Sequence, residues 1–159
     1  MDSMVELFLE RADNELLAAE SLKRLSEEAK SKEEFQLPSR TTFYSAVISH
    51  SYYAIFYAAK AILMKKNIKT YSPEIHKKTF EEFKNAFVET GILDARLLEI
   101  YRKMVVRADE LLGIFKDEKW KRGNFTYNTI PQANREPAED SLKNGKFFVS
   151  NIMKVIEKI

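Results

Sequence analysis

The chain contains no cysteine, which removes disulfides, thiolate metal ligands and cysteine nucleophiles in one stroke and suits a reducing compartment. Histidine is nearly as scarce, with His50 and His76 the only two, so a metal would lack its commonest ligand and neither metal nor cofactor is expected. Glycine and proline occur four times each, too rarely to break a chain of 159 residues into short pieces. Charge of one sign is also missing: 26 Lys and Arg stand against 24 Asp and Glu, so no global field draws the protein to nucleic acid and any anion site must be local. The longest apolar run, AIFYAAKAILM from Ala54 to Met64, contains Lys60 and falls short of a membrane span. The opening MDSMVELFLERADNELL carries acids where a signal peptide would carry bases, so a soluble cytoplasmic protein is expected.

What is present is a globular composition, 45% hydrophobic and 12% aromatic, of a size for one domain with a ring-rich core. Pro38, Pro73, Pro131 and Pro137 divide the chain into helical stretches. The first is expected from about residue 2 to 30, with Val5, Phe8, Leu9, Ala12, Leu16, Ala19 and Leu22 on one face. The second, from about 39 to 66, carries apolar residues on two sides and belongs in the middle of the molecule. A third is expected to begin at SPEIH, with Ser72 as cap and Pro73 in the first turn, and to stop at Gly91. A fourth runs from about 94 to 117 and a fifth from about 137 to 159. No stretch alternates as a strand does. The expected fold is all-α: an antiparallel up-and-down bundle of four to five helices forming one domain over residues 1–159.

Several groups could carry chemistry. His50 sits on an apolar face and reads first as a packing histidine. His76, near the start of the third helix, aligns with Phe80, Phe83 and Phe87, yet a helix N-terminus also offers backbone N–H groups to an anion. Lys60, Lys65, Lys66, Lys69, Lys77 and Lys78 form a basic stretch that reads either as a solvated edge or as a phosphate track. The rings of SYYAIFYAAKAIL, Tyr52, Tyr53, Phe56 and Tyr57, read as core with hydroxyls reaching polar partners at its rim. The run KRGNFTYNT, residues 121–129, looks least like a helix: with Lys119 and Trp120 before it, cations alternate with rings, the mixture that holds single-stranded nucleotides by charge and stacking. Arg122 leads this group because its planar guanidinium fork matches phosphate and stays charged.

The segment SHSYYAIFYAAKAIL, the later His76 in SPEIHKKTFEEF, and Arg122 followed at a spacing of four residues by Tyr127 together resemble the HEPN superfamily of helical nucleotide-binding domains, in its branch with a YYA-containing second helix. The resemblance covers about residues 40–159. It implies a helical bundle that pairs as a homodimer, with the Arg motifs of two subunits lining one cleft. It further implies nucleotide or RNA binding in a toxin–antitoxin or nucleotidyltransferase-associated system, by Arg122, Asn124, Tyr127, Lys121 and His76. Two alternatives accompany it: a weakly active, metal-independent endoribonuclease with Arg122 and Tyr127 as its catalytic pair, or a non-catalytic partner of a minimal nucleotidyltransferase. Family nucleases place a histidine where this chain has Tyr127, and Gly123 takes the place of a polar residue. A phenol with a pKa of about 10 is protonated at neutrality, so it donates a hydrogen bond but is a poor base.

Overall fold

The computed structural model describes residues 2–115 and 134–159, and these form an all-α bundle with no strand among them. Six helices follow one another: α1 Ser3–Glu27, α2 Ala29–Glu34, α3 Tyr44–Lys65, α4 Ile75–Phe83, α5 Ala95–Leu112 and α6 Arg135–Ile156. A π-helical stretch, Lys84–Val88, extends α4.

Side-chain contacts fix the directions of the long helices. Along α1 and α3 the pairs run Glu27 with Tyr44, Glu15 with His50 and Arg11 with Tyr57, an antiparallel order. Between α5 and α6 the pairs Arg107 with Asp140 and Arg96 with Phe147 are likewise antiparallel. On the third side, Lys23 meets Glu139 and Lys146 meets Glu20, so α6 also opposes α1. The four long helices therefore alternate up and down, as the spacing predicted.

Helix α3 is the axis of this arrangement. Twelve of its residues are buried, and they include Val47, Ala54 and Ala61 of one expected apolar stripe and Ile48, Tyr52, Ile55, Ala59 and Ile62 of the other, while His50 and Tyr57 of the first stripe are only partly buried. On α1 the predicted face is also the inner one: Val5, Leu9, Ala12 and Ala19 are buried, while Phe8, Leu16 and Leu22 pack at its edges. Small residues let α6 approach closely. An added Cβ at Gly145 would lie 3.1 Å from Leu16 Cδ2 and 3.3 Å from the carbonyl oxygen of Ser51.

Helix boundaries depart from the sequence expectation wherever a distant side chain sets them. The first helix does not reach residue 30, because Glu28 turns extended before α2 begins. Ser26 Oγ accepts a hydrogen bond of 2.7 Å from the backbone N–H of Phe43, so a hydroxyl from α1 supplies the start of α3, at Tyr44 instead of about residue 39. The third helix begins later than expected. Ser72–Pro73 is a cis peptide bond, Glu74 takes the left-handed conformation at φ 59°, and helical backbone starts at Ile75 without a side-chain cap. Its other end falls at Val88, three residues before Gly91, whose φ of 78° suits glycine. Helix α5 starts as expected, capped by Asp94 Oδ1 at 2.8 Å from Arg96 N, but ends at Gly113 in a left-handed turn rather than at residue 117. Helix α6 begins two residues before Pro137, which is tolerated because a first-turn residue needs no intrahelical N–H bond.

Gly145→Val should overpack the junction of α1, α3 and α6, lowering unfolding free energy by about 1–3 kcal/mol. Urea denaturation followed by circular dichroism measures this, and unchanged stability would show that the three helices can part without cost.

Candidate functional site

His76 is the one predicted site residue among the described residues, while Lys121, Arg122, Asn124 and Tyr127 lie outside them. It projects from the first turn of α4 into rings supplied by two other parts of the fold. Phe56 of α3 lies 4.5 Å away between ring centroids, Tyr52 and Tyr53 lie at 5.6 and 5.9 Å, and Phe115 beyond α5 lies at 6.2 Å. Phe115 is held there by its backbone N–H, which donates to Asp109 Oδ1 at 2.7 Å.

The imidazole has a defined proton arrangement. Tyr52 Oη and His76 Nδ1 are 2.8 Å apart, and this is the hydrogen bond of a phenol that is fully buried. Burial pushes the Tyr52 hydroxyl well above the ordinary tyrosine range, so it keeps its proton. Among the described residues His76 is the phenol's one hydrogen-bond partner, and a protonated phenol donates to such a partner, so Nδ1 accepts and the neutral ring carries its own proton on Nε2. Burial, with the positive charge of Lys60 adding to it and the carboxylate of Asp109 opposing, lowers the His76 pKa to about 4. His76 therefore enters any site as a neutral group offering Nε2–H. It supplies no cation at neutral pH and is a weak base.

Along the seam of α1 and α3 lies a second polar group, of which sequence reading singled out His50 and Tyr57 but neither of their partners on α1. His50 is half-exposed rather than in the core, and its Nδ1 pairs with Glu15 Oε2 at 2.5 Å. One turn on, the guanidinium of Arg11 lies 5.3 Å from the Tyr57 ring centre and donates to Tyr57 Oη at 3.4 Å. Arg11 and Glu15 are spaced i, i+4, as expected for two residues on one helix face, but nothing in the sequence of α1 indicates which face of α3 they meet.

The basic stretch lies largely at the surface, with Lys65, Lys66, Lys69 and Lys78 exposed, and several of its cations have partners within the fold. Lys66 Nζ donates to the carbonyl of Ala86 at 2.9 Å and lies over Phe87, and Lys78 Nζ reaches the carbonyl of Tyr71. Lys60 is half-buried, 5.0 Å from the ring centre of Phe8 and 5.7 Å from that of Phe56. These cations close helix ends and cover rings. No helix among the described residues is long and apolar enough to cross a membrane.

The fold and this ring-lined histidine define a small all-α protein, and comparison with known proteins narrows the class. A protein of Methanocaldococcus jannaschii named "Putative toxin MJ0605" is 28% identical over 116 residues, covering 73% of this chain and 73% of its own length. A second from that organism, "Putative toxin MJ0142", is 28% identical over 144 residues, covering 89% of this chain and 86% of its own. No protein-family model matches the chain, and no solved structure matches it significantly.

The depressed pKa of His76 has a consequence for stability. The unfolded chain, with an ordinary histidine near 6.5, takes up a proton before the folded chain does, so this residue favours the fold above about pH 6.5 and that advantage is lost as pH falls toward 4. His76→Gln can still accept from Tyr52 but does not titrate. Its urea midpoint should fall less between pH 7 and pH 5 than that of the unsubstituted protein, and an identical fall in both would reject the neutral imidazole.

Proposed function

We propose that this chain is a HEPN-like nucleotide- or RNA-binding domain of a toxin–antitoxin or nucleotidyltransferase-associated system, acting in the cytoplasm as a homodimer. The names of the two archaeal relatives support a toxin-like role. Arg122 supplies the guanidinium for phosphate, Lys121 adds charge, Asn124 contacts the base or sugar, and Tyr127 donates a hydrogen bond. His76 contributes Nε2–H at the root of that segment, since Phe115, the last described residue before it, packs against the imidazole.

The observation that favours binding over cleavage is the state of His76. Metal-independent cleavage of RNA needs a base for the 2′-hydroxyl proton. With Nδ1 already accepting from Tyr52 and a pKa near 4, His76 is poorly suited to that task, and Tyr127 is a phenol. A nucleotide can still be held by the Arg122 fork and the flanking rings without any proton transfer.

Arg122→Ala should weaken binding of a short single-stranded RNA by roughly tenfold or more while leaving helicity unchanged. Fluorescence anisotropy at fixed salt reads the affinity, and equal affinity would remove Arg122 from the site. In the same experiment, RNA incubated with excess protein and a chelator should remain intact. Fragments that vanish with Arg122→Ala would instead establish the ribonuclease.

A further inference from the structure

A cleft of about 190 Å³ opens between the start of α1, the end of α3 and the segment that follows it, well away in sequence from Arg122. Its walls are Phe8, Leu63, Met64 and Ile68, and Met4 and Tyr71 stand at its mouth, 41% and 65% exposed. Lys60, Lys69 and the backbone of Thr70 supply its polar atoms. The volume is below the roughly 300–1,000 Å³ of sites for drug-sized ligands, so it has room for one compact group.

Lys60 gives the cleft its chemical character. Its ammonium lies between Phe8 and Thr70, both part of the wall, and donates to the Thr70 carbonyl at the long distance of 3.4 Å. Among the described residues no carboxylate pairs with it, and the nearest opposing influence is another cation, Arg11. Burial and then that like charge lower the pKa of the amine. A half-buried charge held by ring faces and one weak carbonyl contact gains from any anion that can reach it. Methionine and leucine walls reward an apolar body, and they offer nothing to read the edge of a nucleobase.

We propose that this cleft binds a small organic monoanion, a compact aliphatic body bearing one carboxylate, with the carboxylate on Lys60 and the body against Phe8, Leu63, Met64 and Ile68. The lining of this site includes no residue of the Arg122 segment, and the proposal stands whether or not that segment binds RNA. Octanoate is the probe, with 1-octanol as its neutral counterpart and adenosine monophosphate as an anion with a polar ring. Titrations followed by ¹H–¹⁵N spectra of the full chain should shift the amides of Ile68, Lys69, Thr70 and Tyr71, with octanoate bound roughly tenfold more tightly than octanol. Lys60→Met should erase that preference while retaining octanol binding and the circular dichroism of the folded protein. Equal affinity for octanoate and octanol, tighter binding of adenosine monophosphate at these amides, shifts confined to other residues, or no binding at all would each overturn the proposal.

Discussion

A phenol buried at the middle of α3 has, among the described residues, one hydrogen-bond partner, the Nδ1 of His76. Much of the molecule's chemistry descends from that pairing. It pins the first turn of α4 to the central helix, fixes which imidazole nitrogen carries the proton, and gives Phe56, Tyr53 and Phe115 a flat neutral surface to pack on. A charged imidazole there would face Lys60 from within an apolar setting, so the same environment that seats the ring keeps it neutral. The ring cluster continues inward through Tyr101 to Phe80, Phe83 and Phe148, tying α4 to α5 and α6.

That frame limits what the positive charges can do. Six lysines crowd the sequence from residue 60 to 78, and charge alone would suggest a track for a polyanion. In the fold, Lys60, Lys66 and Lys78 reach carbonyls, and the first two also lie over rings. The proposed binding of a nucleic acid therefore rests on the Arg122 segment, whose cations and rings alternate over a few residues of sequence. In the proposed site Tyr127 is a proton donor, and His76 is a second donor that adds no base.

The bundle was legible because its signal is local and repeated. Two apolar stripes on the second predicted helix can be satisfied only by neighbours on several sides, and the burial of Val47, Tyr52, Ile55 and Ile62 follows from that. Asp94 was an expected start because its cap bond reaches only two residues. Long-range partners left no comparable mark. Ser26 caps α3 from 17 residues away, and Glu15 binds His50 from 35 away, distances over which no spacing rule operates. Glu74 follows Pro73 at the expected helix start, but its left-handed backbone delays α4 to Ile75, directly before His76. The sequence offered the candidate site as a list of residue types, of which His76 is neutral because its desolvation depends on rings from two separated stretches of chain.

The neutral, acceptor state of His76 is the centre of this account, and nitrogen chemical shifts of the imidazole observe it directly. Long-range ¹H–¹⁵N correlation spectra recorded from pH 7.5 to 3.5 should show a ring protonated on Nε2 and unprotonated on Nδ1, with a titration midpoint near 4. A ring that carries its proton on Nδ1, or that titrates near 6.5 as an exposed histidine does, would contradict it.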